Sequence, residues 1–183
     1  MPNYVLHTKD TAPSASLETL QSVQKAYGFL PNLIATFAES PSITKAYVAL
    51  GEIFEDTEFS AAEKQVILLT VSRYHECAYC MAAHSSLAQM KHVPQHVIDA
   101  VRDDRPIDDA RLEALHSFTR KLVDQRGWVT DEDTETFINA GYSKANVLDV
   151  ILGIGFKTLS NYTNHIATTP IDDAFAQNTW ALD

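Results

Sequence analysis

The sequence has few cysteines, an excess of acidic over basic residues and no long apolar segment. Only two of its 183 residues are cysteine, too few for a disulfide framework. Its 14 Lys and Arg residues are outnumbered by 24 Asp and Glu residues, and the net charge of −10 opposes binding to nucleic acid or an anionic membrane. No apolar run reaches the roughly eighteen residues of a membrane span, and the first sixteen residues are polar. We therefore expect a soluble, cytoplasmic protein without nucleic-acid or membrane partners.

Helical periodicity recurs along the chain, whereas no segment shows the alternation typical of a strand. The spacing predicts a helix from about Ser16 to a glycine cap at Gly28, and a short helix over 31–39. Capping residues and prolines predict further helix starts at Ser40, Ser60, Pro94, Asp108, Thr130 and Ser143. We predict one all-α domain over 1–183, with about eight to ten helices and an extended N-terminal arm over 1–15.

The predicted last helix spans about 24 residues and is therefore roughly 36 Å long. Its buried side is expected to carry Val147, Val150 or Ile151, Ile154, Thr158 and Tyr162. Gly153 and Gly155 do not fit a phosphate loop, because no strand precedes them and no third glycine follows. We interpret both as sites where another helix packs closely.

The same helix ends in polar residues, which are Asn161, Asn164 and His165. They either line a pocket near the cysteines or cap an exposed helix end. The second interpretation is favoured, because polar residues are common at helix ends.

Both cysteines lie in the segment His75–His84, which contains the pattern C-x-x-C-x-x-x-H. If a helix begins near Cys77, the spacing places the sulfur of Cys80 on the same face, with Cβ atoms roughly 5–6 Å apart. His84 then lies one turn beyond Cys80 and could exchange a proton with it. A helix N-terminus also lowers the pKa of a nearby thiol. The pattern indicates a redox-active dithiol with an adjacent base.

Two other interpretations of the cysteine pair remain open. The first is a structural zinc site formed by Cys77, Cys80, His84 and His75, and the second is a pair of inert buried thiols. Zinc is disfavoured, because tetrahedral sites usually draw their four ligands from two separate segments. Beside the pair, Glu76 has no assigned role, and His75 could tune Cys77 or be a surface residue.

Three segments together resemble the core of the AhpD-like alkylhydroperoxidase and carboxymuconolactone decarboxylase superfamily. They are Ser60–Glu63, the apolar run Val66–Leu69 and the motif Cys77–His84, all within a core over 60–90. The resemblance implies a compact all-helical domain. Because both cysteines are present, it favours the peroxidase-like branch, and the N-terminal extension resembles the peroxidase-related subgroup.

The resemblance implies an alkylhydroperoxidase-like enzyme in which Cys80 attacks the hydroperoxide, Cys77 resolves the product to a disulfide and His84 belongs to a proton relay. It also implies an external thiol reductant, which can be a dihydrolipoyl protein, and no bound cofactor or metal. The position of the family's relay glutamate is occupied here by Gln65, whose amide cannot accept the proton, so we expect weak turnover. Glu63 is the candidate replacement, although its capping-box position already explains it.

A second departure from the family is Tyr79, which stands where the family has another relay histidine. Its phenol is a weak base. Together with Gln65, this substitution keeps an alternative open, in which the chain is a non-catalytic helical assembly protein or a redox sensor that uses the same cysteine pair.

We also predict a homo-oligomer, which could be a dimer, trimer or hexamer. Two predicted helices are apolar over much of their circumference, and the arm over 1–15 has no evident partner within its own chain. The interface is expected to include the helix faces around Gly153 and Gly155, or the arm.

Overall fold

A computed structural model describes residues 4–181, and within this range the secondary structure is entirely helical. Nine α-helices are present: α1 Leu17–Tyr27, α2 Asn32–Phe37, α3 Pro41–Glu55, α4 Ala61–Tyr74, α5 Ala78–Met90, α6 Gln95–Arg102, α7 Ala110–Asp124, α8 Asp131–Asn139 and α9 Lys144–Ala167. Short 3-10 helices form at Ser14–Ser16 and Asp173–Asn178. The predicted all-α class is confirmed. None of these helices combines the length and the apolar character needed to span a membrane.

Helix α4 lies at the centre of the fold and packs against α5, α6, α7 and α9. It starts with the predicted capping box, in which the Ser60 amide donates to Glu63 at 2.8 Å and the Glu63 amide donates to the Ser60 hydroxyl at 3.3 Å. Its middle is buried on all sides, which explains why the run from Val66 to Val71 shows no amphipathic period. A central helix with this environment fixes the position of α5, which carries both cysteines.

Helix α9 has the predicted start and length, but its buried face differs from the prediction. Ser143 forms a capping box, and the helix continues for 24 residues. The buried face carries Asn146, Val150, Gly153, Phe156, Lys157, Ser160, Asn161 and Asn164. Of the residues expected there, Val150 is buried, whereas Ile151 and Tyr162 are 48% and 53% exposed. Val147 and Ile154 are partly buried against the core and Thr158 is half-buried, so the prediction is wrong for Tyr162 and for the alternative Ile151. It also missed the polar side chains that this helix directs toward the cysteines.

The two glycines of α9 lie in different environments. A Cβ atom on Gly153 would lie 2.8 Å from Ile67 Cγ2 and 2.9 Å from Phe54 Cε2, so the close-packing interpretation is confirmed there. A Cβ atom on Gly155 would meet no atom within 4 Å, so the same interpretation is wrong for Gly155 within the chain.

We therefore expect opposite effects from two alanine substitutions. Gly153→Ala should lower the free energy of unfolding by about 1–2 kcal/mol, because overpacking outweighs the gain in helix propensity. Gly155→Ala should raise it by up to about 1 kcal/mol, because alanine favours helix and meets no neighbour. Urea denaturation of the two variants measures the difference. Equal effects would show that the close approach at Gly153 is relieved without cost.

The N-terminal arm is non-helical from residue 4 to 13, whereas residues 14 and 15 of the predicted arm belong to the 3-10 helix Ser14–Ser16. The arm also contacts its own chain. The His7 amide donates to the Ala35 carbonyl oxygen at 3.2 Å, and His7 Nε2 lies 2.8 Å from Glu39 Oε2. The expectation that the arm lacks a partner in its own chain is therefore wrong for the described part. Residues 1–3 of the predicted arm lie outside the described residues.

After α9 the chain turns back, and its C-terminal segment, residues 168–181, packs on α5. Buried Asp172 accepts a hydrogen bond from the Tyr79 hydroxyl at 2.6 Å and from the Asn32 amide at 3.0 Å. Arg102 of α6 donates to the Asn178 carbonyl oxygen at 3.1 Å. The last residues of the fold are thus tied to the helix that bears the cysteines.

Candidate dithiol site

The two cysteines lie at the start of α5 and are in contact with α9. Cys77 is the N-cap residue, Cys80 is in the first turn, and both are free thiols with 1% exposure. Asn164 Nδ2 lies 3.2 Å from Cys80 Sγ and 3.8 Å from Cys77 Sγ, and Ser160 Oγ lies 3.7 Å from Cys80 Sγ. One amide group therefore reaches both sulfurs, which brings the two thiols together as the C-x-x-C spacing predicts.

His84 lies one turn beyond Cys80, but its ring nitrogens contact other residues. Nδ1 lies 3.1 Å from Gln65 Oε1, and Nε2 lies 2.9 Å from Lys157 Nζ. Because an amide oxygen only accepts, Nδ1 carries the ring proton, and Nε2 then accepts from the Lys157 amine. Gln65, His84 and Lys157 form a buried chain of hydrogen bonds.

The two thiols have different electrostatic environments. Burial alone would raise the pKa of Cys80, but a hydrogen bond from Cys77 and the positive charge of Lys157 lower that pKa well below its usual value. Donating this bond, together with burial, raises the pKa of Cys77. Burial, and after it the charge of Lys157, lowers the pKa of His84 well below its usual value. The arrangement favours a Cys80 thiolate, a Cys77 thiol and a neutral imidazole.

A cavity of about 680 Å³ opens next to this cluster. Cys80, His84, Gln65 and Lys157 line it, whereas Cys77 does not. The rest of the wall is mainly apolar and includes Val23, Leu33, Ile34, Tyr47, Val48, Phe54, Leu68, Leu87, Phe156 and Phe175. A largely apolar cavity with a few convergent polar groups is the usual form of a small-molecule site.

The side chains around the cysteines do not form a metal site. Across residues 4–181, no group of three or more His, Cys, Asp or Glu side chains is arranged to hold a metal ion. Both ring nitrogens of His84 are engaged with Gln65 and Lys157, and His75 Nδ1 lies 3.0 Å from Asn161 Oδ1. The four residues considered for zinc therefore do not converge on one point.

The chain is similar to known proteins in sequence over part of its length and in fold over nearly all of it. Residues 41–117 match the model of the carboxymuconolactone decarboxylase family. A crystal structure described as an alkylhydroperoxidase AhpD core, a peroxidase-related protein from Ralstonia eutropha JMP134, has a TM-score of 0.84 at 23% identity, covering 96% of this chain and 95% of that chain. Over residues 41–117 the chain is similar to the carboxymuconolactone decarboxylase family, and its overall fold is that of the AhpD-like structure.

Two further solved structures share this AhpD-like fold. A peroxidase-related protein from Silicibacter sp. TM1040 has a TM-score of 0.79 at 20% identity, covering 95% of this chain and 94% of that chain. A variant of the debrominase Bmp8 in complex with 2,3,4-tribromopyrrole has a TM-score of 0.80 at 18% identity, covering 97% of this chain and 96% of that chain. At these identities the likeness shows the fold alone. No curated protein matches the chain in sequence.

The structure does not bring Glu63 to the dithiol of this AhpD-like chain. Its carboxylate accepts from the Ser60 amide and lies 3.0 Å from Arg111 Nε, at the outer end of α4. Burial raises its pKa, but the hydrogen bonds from Ser60 and Arg111 outweigh burial and lower it. Gln65, two residues later, faces the cavity instead.

The polar end of α9 lines the dithiol, contrary to the favoured prediction. Asn161 and Asn164 are 0% and 6% exposed, and Asn164 bonds to the sulfurs. Only His165 lies on the exposed side, as the helix-end interpretation expected. The signal that could have identified these residues is their spacing from Val150 and Gly153, which places all four on one helix face.

Lys157 is the one residue of the cavity cluster that the sequence interpretation missed. It is 1% exposed and follows Gly153 by four residues on the buried face of α9. The available signal was a lysine in the middle of a largely apolar helix. Lysine side chains are rarely buried unless they are paired, so a lysine at such a position indicates a specific partner.

Tyr79 contacts the C-terminal segment instead of the sulfurs. Its hydroxyl donates to Asp172 and accepts from the Leu33 amide at 3.2 Å. Burial, and after it the bond to Asp172, raises its pKa. The Tyr79 hydroxyl therefore stays protonated and serves as a structural hydrogen-bond donor to Asp172.

The lowered pKa of His84 makes the stability of the fold pH-dependent. In the unfolded chain histidine titrates near pH 6.5, whereas the folded chain binds this proton only at much lower pH. The unfolded state thus binds more protons below about pH 6.5, so stability is complete above that pH and falls as the pH decreases. One such group gives a slope of at most about 1.4 kcal/mol per pH unit.

We expect the free energy of unfolding to fall by about 1 kcal/mol or more between pH 7 and pH 5.5. Urea denaturation across this range measures the slope. His84→Gln should reduce the slope to the part contributed by His116, whose pKa burial also lowers, whereas His96→Gln, at an exposed position, should leave it unchanged. Identical slopes in the two variants would contradict the assignment to His84.

Proposed function

We propose that this protein is a thiol-dependent peroxidase, of the alkylhydroperoxidase type, that acts on an organic hydroperoxide in a reducing compartment such as the cytoplasm. The observation that carries the proposal is the asymmetry of the dithiol. Cys80 lines the cavity and its environment favours the thiolate, whereas Cys77 lies behind it as a thiol. The thiolate is the nucleophilic form of cysteine, so the reactive sulfur is the one that a substrate can reach.

The reaction follows the oxidation chemistry of cysteine. The Cys80 thiolate attacks the outer peroxide oxygen, the O–O bond breaks, and the products are a Cys80 sulfenic acid and an alkoxide, which takes up a proton to leave as the alcohol. The Cys77 thiol then displaces the hydroxyl group as water and forms the Cys77–Cys80 disulfide. An external dithiol, which could be a dihydrolipoyl protein, reduces the disulfide. The family glutamate is replaced by Gln65, so a conventional carboxylate relay does not act on His84.

The apolar cavity wall favours an organic hydroperoxide over hydrogen peroxide, because apolar burial contributes binding energy only to the former. Stoichiometric cumene hydroperoxide should consume two thiols per chain and yield an intramolecular disulfide, faster than the same amount of hydrogen peroxide. Thiol counting before and after treatment, with metal analysis of the same sample, tests this. Thiols that react with hydroperoxide only after the protein is unfolded would contradict the proposal and would favour a pair of inert buried cysteines.

Reductive dehalogenation is a second candidate, because one structure with this fold is a debrominase bound to a brominated pyrrole and the cavity here has aromatic walls. The Cys80 thiolate would accept bromine from an aryl bromide, the ring carbon would take a proton, and Cys77 would displace bromide to give the disulfide. Release of one bromide per disulfide from 2,3,4-tribromopyrrole, without reaction with cumene hydroperoxide, would favour this activity over peroxidase activity.

We propose in addition that two copies of the chain pack through the outer face of α9. This face carries Leu148, Ile151, Tyr162 and Ile166, which are 66%, 48%, 53% and 56% exposed, with the open Gly155 between them. Gly153 packs inside the chain, so it is not part of this surface. A row of exposed apolar side chains on one helix is typical of an interface. Light scattering at micromolar concentration should give a mass of at least two chains, and Ile151→Lys should reduce it to one.

A further inference from the structure

Lys157 is a buried lysine that has no carboxylate partner. Its exposure is 1%, and within residues 4–181 no Asp or Glu oxygen lies within 4.0 Å of its Nζ. In contrast, the less buried Lys64 and Lys91 both form ion pairs with Glu55. A charged group inside a protein is retained only if another charge or strong hydrogen bonds compensate it.

The neighbours of Lys157 leave Cys80 as the source of that compensating charge. Its nearest polar neighbour, His84 Nε2, accepts a hydrogen bond, and burial followed by the charge of Lys157 keeps the His84 ring neutral. Lys157 and Cys80 line the same cavity, and the positive charge of Lys157 favours the ionised form of the Cys80 thiol. Thiolate and ammonium together are neutral overall, which makes their joint burial feasible.

We propose that Lys157 is the proton store of the dithiol: it holds, as an ammonium group, the proton that Cys80 gives up, and it delivers this proton to the oxygen that leaves during peroxide cleavage. Delivery of the proton to the leaving oxygen rests on the proposed peroxidase function, whereas storage of the proton concerns only the resting thiolate. Lys157 thereby replaces the carboxylate relay that Gln65 cannot provide.

The atoms and charges of this sequence balance. In the resting site, the Cys80 thiolate, the Cys77 thiol and the Lys157 ammonium are neutral in sum. Thiolate attack on the hydroperoxide oxidises the sulfur to the sulfenic acid and reduces the peroxide to an alkoxide, which takes a proton from Lys157 to leave as the alcohol. Cys77 and the sulfenic acid then form the disulfide and release water. Lys157 has then given one proton to the alcohol, and the Cys80 thiol that reduction re-forms returns one to it.

Several other titratable groups surround the thiolate and must be considered in a pH experiment. They are Tyr47 from α3, Cys77, Tyr79 and His84 from the start and body of α5, and Lys91 at the cavity edge. Burial raises the pKa of Tyr47 and of Tyr79, so both phenols stay protonated through the neutral range. Lys157 is the cation that lines the cavity from α9.

The test compares two substitutions that separate charge from proton donation. Lys157→Met removes both, whereas Lys157→Arg keeps a positive charge that does not dissociate. Lys64→Met is the matched control, because Lys64 is also buried but does not line the cavity. The first readout is the rate of alkylation by iodoacetamide as a function of pH, which follows the thiolate fraction and requires no peroxidase activity.

We expect wild type, Lys64→Met and Lys157→Arg to be alkylated at a rate that is already maximal at neutral pH. Lys157→Met should shift the midpoint upward and lose at least tenfold in rate at pH 7. With stoichiometric cumene hydroperoxide, Lys157→Arg should be oxidised about 10²-fold more slowly than wild type despite its thiolate, because its guanidinium cannot supply a proton. Circular dichroism confirms that each variant is folded.

The proposal is overturned if folded Lys157→Met keeps the wild-type alkylation profile, or if Lys157→Arg is oxidised as fast as wild type. The alkylation profile of wild-type protein covers the case in which the variants do not fold. A midpoint near the ordinary cysteine pKa of about 8.5 would show that the site holds no thiolate and would overturn the proposal. If the wild-type protein does not react with hydroperoxide, the proposed peroxidase function is wrong. The alkylation profiles then still show whether Lys157 stabilises the Cys80 thiolate.

Discussion

Cys80→Ser is expected to lower the rate of reaction with organic hydroperoxide by more than about 10³-fold, whereas Cys77→Ser should keep the first oxidation step. A serine hydroxyl is not ionised at neutral pH, and loss of an activated nucleophile usually costs several orders of magnitude. Cys77→Ser leaves the Cys80 thiolate beside Lys157 but removes the resolving thiol, so the reaction should stop at a stable sulfenic acid. Stopped-flow oxidation with trapping of the sulfenic acid measures both effects.

The opposite assignment would follow from thioredoxin-like C-x-x-C motifs, in which the first cysteine is the reactive one. Here the first cysteine, Cys77, does not line the cavity, and its hydrogen bond to Cys80 raises its pKa. A sulfenic acid trapped on Cys77 in the Cys80→Ser protein, formed at the wild-type rate, would reverse the assignment.

The largest expected effect on stability comes from Asp172→Ala. The Asp172 carboxylate is buried and accepts hydrogen bonds from the Tyr79 hydroxyl and the Asn32 amide. Hydrogen bonds to a charged group contribute about 1.5–3 kcal/mol each, and the donors left behind would be buried without a partner. We expect the free energy of unfolding to fall by about 3 kcal/mol or more in urea denaturation.

Asp173→Ala is the matched control, because Asp173 is the exposed neighbour and should cost less than about 0.5 kcal/mol. Tyr79→Phe completes a double-mutant cycle with Asp172→Ala, and we expect a coupling energy of about 1–2 kcal/mol between the two positions. Similar losses from Asp172→Ala and Asp173→Ala would mean that the C-terminal segment contributes little to stability.

The sequence predicted those features of the fold that depend on local interactions. The capping box at Ser60 and the capping serine at Ser143 predicted the starts of α4 and α9, and the glycine cap at Gly28 predicted the end of α1. Each of these signals acts within a few residues. The pairing of Cys77 with Cys80 belongs to the same class, because an i,i+3 spacing on a helix is sufficient to define it.

Features that depend on packing between distant segments were not predicted. The inward face of α9 is polar where it meets the cysteines, so an analysis that assigns apolar residues to the interior selects Ile151 and Tyr162 in place of Lys157 and Asn164. The bond between Tyr79 and Asp172 joins residues 93 positions apart and follows no local pattern. Burial of a polar side chain is a tertiary property, because its partners determine whether it can be desolvated.

The site is assembled from residues that lie far apart in the chain, which has a consequence for folding kinetics. The contacts of Cys80 with Ser160 and Asn164 span 80 and 84 positions, and the contact between His84 and Lys157 spans 73 positions. In the unfolded chain both thiols have an ordinary cysteine pKa near 8.5 and are mostly protonated at pH 7. Contacts with such large sequence separation tend to form slowly. Thiolate reactivity should therefore arise only when α9 docks onto α5, and the rate of alkylation during refolding would report this docking event directly.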